Sequence, residues 1–99
     1  MRLDAVLHKD PDIVFRKIAG EYVLVPIRHR VGDLDNIYTL NETAARIWEL
    51  IDGRRTLAEI RDALAREFAV PAAQAEADLL EYAAALHACA AVGQDPGRR

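Results

Sequence analysis

Apolar and polar positions run in short β-type blocks through the first third of the chain and change to a helical period after residue 41. Ile13-Val14-Phe15-Arg16-Lys17-Ile18 and Tyr22-Val23-Leu24-Val25-Pro26-Ile27 are apolar, β-branched runs on either side of Ala19-Gly20-Glu21. That arrangement predicts a hairpin. Pro26 has no N–H for a ladder, so the second strand must end, bulge or pair through carbonyls at that residue. Arg28 to Asp35 is polar and contains Gly32, and Asn36-Ile37-Tyr38-Thr39-Leu40 follows as a run of high β-propensity. The pattern predicts a three-stranded antiparallel meander.

From Asn41 onward the period is about 3.6. Asn41 is a favoured N-cap, and Ala44, Ile47, Trp48 and Ile51 recur at i, i+3, i+4 and i+7, which predicts a helix to about Asp52 with Gly53 as its left-handed terminator. Thr56 and Glu59 have the spacing of a capping box, with Leu57, Ile60, Leu64 and Phe68 as the buried stripe of a second helix ending near Ala69. Pro71 suits the start of a third helix, in which Ala75, Leu79, Tyr82 and Leu86 share a face and which runs into the Cys89 region. Residues 1–10 and 93–99 lack apolar periodicity and are expected to be flexible, leaving one domain over residues 11–92. The predicted fold class is α+β: a three-stranded antiparallel β-meander followed by three α-helices.

Composition narrows the function. With 99 residues there is room for a single domain, and no run of about 18 apolar residues crosses a membrane. The first residues lack the apolar stretch and cleavage site of a secretory signal, which predicts a cytoplasmic protein. Cys89 is the sole cysteine, so no internal disulfide or multi-cysteine metal site forms, and its alanine-rich surroundings mark it as a small core residue. A net charge of −3 lacks the basic footprint of a nucleic-acid binder. The competing winged-helix DNA-binding reading needs Arg, Lys, Asn or Gln along the third helix, and between Pro71 and Val92 only Gln74 qualifies. His8, His29 and His87 have no ligand spacing, the five glycines form no phosphate loop, and serine is absent. No catalytic residue, metal or cofactor is expected.

The run Tyr38-Thr39-Leu40-Asn41-Glu42-Thr43-Ala44-Ala45-Arg46-Ile47-Trp48-Glu49-Leu50-Ile51-Asp52-Gly53 resembles the PqqD family motif, y-x-L-N-e-t-a-x-x-I-W-x-l-x-D-G. Arg55-Thr56-Leu57-Ala58-Glu59-Ile60 is similar to the family's r-T-v-x-e-I element, and Asp78, Leu79, Tyr82, Ala83 and Leu86 fall on its D-v-x-x-f-l-x-x-L pattern. The chain departs at Ala90-Ala91-Val92, where the family commonly has a glycine and two large apolar residues. The resemblance covers about residues 12–92. It implies a winged-helix-like domain that is a non-catalytic recognition element and holds the leader segment of a ribosomally made precursor peptide; an adaptor subunit that docks on an enzyme without touching peptide is a further alternative. The resemblance also implies a partner enzyme, often a radical S-adenosylmethionine protein, that modifies the peptide, as in pyrroloquinoline quinone biosynthesis.

In that family the leader adds as a strand to the third strand, in the groove beside the last helix. The residues expected to bind peptide here are therefore Ile37, Tyr38, Thr39 and Leu40 on the strand, and Asp78, Leu80, Ala83 and His87 on the helix. Tyr38 and Leu40 share one face and Ile37 and Thr39 the other, with the core-facing pair left open by the sequence. The weakly apolar stripe of Leu80, Ala83, Ala84 and His87 fits a groove wall and equally a homodimer contact. Trp48 and Ile47 read as core, and Asn41 and Thr56 as caps.

Overall fold

The computed structural model describes residues 2–26, 38–88 and 91–95. Strand β1 (Val6–Lys9) precedes β2 (Ile13–Ile18), β3 (Glu21–Pro26) and β4 (Tyr38–Leu40); helices α1 (Glu42–Leu50), α2 (Leu57–Phe68) and α3 (Ala72–Ala88) follow, then β5 (Val92–Asp95). The predicted α+β order of a meander followed by three helices is present. The sheet order is β2-β3-β4, all antiparallel, so β3 is central and β4 is an edge.

The β2–β3 hairpin closes on a two-residue loop. Ile18 pairs with Glu21, and both Ala19 (φ 52°) and Gly20 (φ 82°) lie in the left-handed region. Two successive positive φ values give the turn whose twist matches a right-handed strand pair, at a steric cost to Ala19 that Gly20 does not share. Phe15 stacks on Tyr22 with ring centroids 5.7 Å apart, and Lys17 places its ammonium 5.3 Å from the same Tyr22 ring. Pro26 is the last residue of β3, where a missing donor costs least. The polar stretch Arg28–Asp35 and the expected start of the third strand at Asn36 and Ile37 lie outside the described residues, as does Cys89.

The helices begin as their caps dictate. Asn41 Oδ1 accepts the Ala44 amide at 2.8 Å. Thr56 Oγ1 accepts the Glu59 amide at 3.2 Å while Glu59 Oε1 accepts the Thr56 amide at 2.9 Å, so the capping box is complete. Helix α1 stops earlier than its period suggests, at Leu50 with Ile51 as C-cap. Gly53 (φ 77°) instead belongs to a turn built by Asp52, whose Oδ1 accepts the Arg54 and Arg55 amides at 2.9 and 2.8 Å. These bonds, led by the one from Arg55, hold the Asp52 carboxyl below the usual carboxylate range.

The chain ends are not all flexible. The structure corrects the expected boundaries by pairing β1 with β5, Val6 opposite Asp95 through Lys9 opposite Val92. Ala5, Val6 and Leu7 are buried, as are Ala91 and Val92. The carbonyls of Leu3 and Ala5 accept the Ala58 and Leu57 amides at 2.9 and 3.0 Å. The first-turn amides of α2 are thereby satisfied by the chain's own start, together with Thr56. One core unites Leu7, Leu24, Leu40, Ile47, Trp48, Leu57, Ile60, Leu64, Leu79 and Leu86. Lys9 lies across it with its ammonium 5.1 Å from the Trp48 ring, and partial burial lowers its pKa.

Candidate functional site

A groove opens at the residue that follows β4. Its first wall is the start of α1, where Asn41, Thr43, Ala44 and Ile47 line it; its second is α3, which contributes Asp78, Glu81, Tyr82 and Ala85. The cavity between them is about 330 Å³, in the size range of ligand sites. The α3 residues are spaced i, i+3, i+4 and i+7, a single helical stripe. A smaller cavity of about 160 Å³ adjoins it, lined by Leu64, Phe68 and Val70 with Gln74 and Ala75. Thr43 and Asp78 border both cavities.

Among the described residues, the strand beside the groove has an open edge. β4 pairs with β3 through Leu40 opposite Tyr22, Thr39 opposite Val23 and Tyr38 opposite Leu24, and among the described residues no strand lies on its other side. Leu40 is 4% exposed and belongs to the core, whereas Thr39 is exposed. The alternation left open by the sequence is settled at this pair: residue 40 faces inward and residue 39 outward. Ile37 lies outside the described residues.

The structure brings one of the four helix positions expected at the groove, Asp78, onto it. The other three lie elsewhere. Ala83 is 0% exposed and packs in the core, so it offers no surface to a peptide. Leu80 is half-buried and packs against the core flank. His87 is exposed and lines a separate shallow hollow with His8, Lys9, Asp10, Pro11, Val92 and Gly93. At about 100° per residue, Leu80 and His87 are roughly 180° round the helix from Asp78. Thr43, Glu81 and Ala85, which the sequence did not single out, line the cavity, and Tyr82, expected on the core stripe, packs half-buried against the core while also lining the cavity. The i, i+3, i+7 relation of Asp78, Glu81 and Ala85 was the available signal.

The groove is acidic and has no internal neutralisation. Neither the Asp78 nor the Glu81 side chain makes a hydrogen bond or ion pair with a described residue, and both are exposed. The surface shared by α1 and α2 is the opposite case. There Arg46 holds Glu67 through bonds of 2.6 and 2.9 Å, which raises the pKa of the guanidinium and lowers that of the carboxyl. On α2 and α3, Arg61 bridges Asp62 and Glu76, both at 3.0 Å. Among the described residues, no group of three or more His, Cys, Asp or Glu is placed to hold a metal ion, and no helix is long and apolar enough to cross a membrane.

The profile of the family described as Coenzyme PQQ synthesis protein D (PqqD) matches residues 21–92, which takes in β3, β4, the three helices and both walls of the groove. The chain belongs to the PqqD family. A similar solved structure is that of TbiB1 in complex with the TbiA(beta) leader peptide. It has a TM-score of 0.69 and 26% sequence identity, over 86% of this chain and 93% of that one. None of the curated proteins compared with the chain matches it.

Proposed function

We propose that the protein is a leader-peptide recognition element: it captures an extended segment of a ribosomally made precursor peptide and presents it to a modifying enzyme without doing chemistry itself. The observation that carries this reading is that β4, an edge strand among the described residues, runs directly into Asn41, which lines the groove between α1 and α3. A strand edge offers unpaired N–H and C=O groups that an incoming strand satisfies whatever its sequence, and adjacent pockets add selectivity. The likeness to TbiB1, solved with a leader peptide, supports the same use of this fold.

Magnitudes favour shared binding. The three described residues of β4 offer about two to four ladder bonds at ~1 kcal/mol each, and one or two apolar side chains buried in the groove add ~2 kcal/mol each. The sum of roughly 4–8 kcal/mol before ordering costs sets millimolar to micromolar affinity as the upper bound for the chain alone. Contacts from a partner enzyme then tighten the complex. We assign that partner to the modifying enzymes, with radical S-adenosylmethionine proteins first on the strength of the family resemblance.

Reconstitution tests the proposal. A candidate modifying enzyme and short precursor peptide, sought among the neighbouring genes, are combined with and without stoichiometric chain. The chain is expected to bind the peptide's leader and to accelerate modification at least tenfold. A rate and a peptide affinity that do not respond to the chain would contradict the reading.

A further inference from the structure

We infer that the groove ends in a pocket for one leucine- to phenylalanine-sized side chain of the bound peptide, and that Ala75 sets the size it takes. The inference rests on the peptide-binding reading above and adds the class of side chain bound. The smaller cavity, of about 160 Å³, is graded from inside to outside. Leu64 and Ala75, 1% and 3% exposed, form its floor, half-buried Phe68 and Val70 its walls, and exposed Gln74 and Asp78 its mouth. No lysine, arginine or histidine lines it.

Well-packed interiors leave few voids larger than a water molecule, so a hollow of this size is more than packing slack. An apolar cavity of ~150 Å³ holds a benzene ring in other proteins, which makes a Leu, Ile, Met or Phe side chain the matching occupant. The hollow forms where α2 gives way to α3. Ala69 turns left-handed (φ 53°) to end α2, and the Val70 amide then bonds the Ala65 carbonyl at 3.2 Å. The Ala75 amide bonds the Pro71 carbonyl at 3.1 Å, so wall and floor both sit on hydrogen-bonded backbone. On the buried stripe of Ala75, Leu79, Ala83 and Leu86, the alanine at 75 leaves space that a larger side chain would occupy. Continuity with the groove names the occupant. Thr43 and Asp78 line both cavities, so a peptide lying in the groove passes the mouth of the hollow. An extended peptide sends every second side chain to one face, and one of those facing the groove wall enters.

A randomised peptide-display library panned against the chain and against Ala75→Leu tests this. The substitution fills the hollow from its floor, so the variant should melt at or above the wild-type temperature. Should it melt lower, Val70→Phe fills the same space from the wall and replaces it. Wild type should enrich peptides that share one Leu, Ile, Met or Phe position, and Ala75→Leu should lose that preference and accept alanine there. In a synthetic copy of the best wild-type binder, changing the shared residue to Ala should weaken binding to wild type roughly tenfold and alter binding to Ala75→Leu by less than about twofold. Equal losses in both proteins, or enrichment with no shared apolar position, would overturn this inference and leave peptide binding standing. Sedimentation showing a wild-type dimer that Ala75→Leu dissociates would overturn it too, because a second copy would then fill the hollow. If neither protein enriches any peptide, the peptide-binding reading falls and this inference with it.

Discussion

The carbonyl of Ala5 accepts the amide of Leu57 at 3.0 Å, so the start of the chain caps the helix that begins fifty residues later. With Leu3 bonded to the next amide and Ala5 buried, this segment is part of the domain. Deleting residues 1–5 uncovers two helix amides and part of the core. A stability loss of about 2–4 kcal/mol is expected in urea denaturation. A deletion variant as stable as the full chain would show that the segment is dispensable.

Much of the frame was legible because its signals are local. Asn41 and the Thr56–Glu59 box mark helix starts through side chains that bond within three residues, and the β2–β3 hairpin follows from a two-residue turn between β-branched runs. The β1–β5 sheet was not legible, because each strand has four residues and pairs with the far end of the chain. On α3 the buried stripe of Ala75, Leu79 and Leu86 was legible, but the side that lines the cavity was hidden for another reason. Ala73, Ala75, Ala77, Ala83, Ala84 and Ala85 put small apolar side chains all round the helix, so hydrophobic period alone does not separate core from groove. Packing resolves it, with Ala75, Leu79, Ala83 and Leu86 buried and Asp78, Glu81 and Ala85 beside the cavity.

That rotation makes opposite predictions for neighbouring positions on α3. Ala85→Trp should fill the groove and weaken peptide binding at least tenfold with little change in melting temperature, since Ala85 is exposed. His87→Asp should leave binding unchanged. Ala83→Asp buries an unpaired carboxylate in the core and should unfold the domain or cost several kcal/mol. Calorimetric titration with a display-selected peptide, paired with thermal melts, separates these outcomes. Loss of binding in folded His87→Asp, with Ala85→Trp unaffected, would place the site on the other side of the helix.

Ala19 occupies a left-handed conformation that disfavours a Cβ. Ala19→Asn converts the turn to Asn-Gly, the pair best suited to two positive φ values. Stability should rise by about 0.5–1 kcal/mol, a few degrees in melting temperature for a domain of this size. A neutral or negative change would mean that the turn tolerates alanine without strain.

The turn at Asp52 predicts a pH dependence. Its carboxyl is held below the usual range, so the folded state binds a proton less readily than the unfolded chain, whose Asp titrates near ~3.9. The resulting stabilisation is full above that value and disappears as pH falls through the lowered folded-state value. Asp52→Asn keeps the side-chain oxygen of the turn and removes the titration. The melting-temperature gap between wild type and Asp52→Asn should therefore be widest above about pH 5 and close on acidification. A gap independent of pH would contradict the assignment.

Amide hydrogen exchange, read residue by residue on the chain with and without a display-selected peptide, tests the strand-addition account most directly. Backbone groups on an edge strand alternate between neighbour and open side, so binding should slow exchange at the outward-pointing amide among Tyr38, Thr39 and Leu40. Chemical shifts should move at Thr43, Asp78, Glu81 and Ala85, which border the groove. Protection on the β2 edge or on the β1–β5 sheet, with β4 and the groove unchanged, would contradict it.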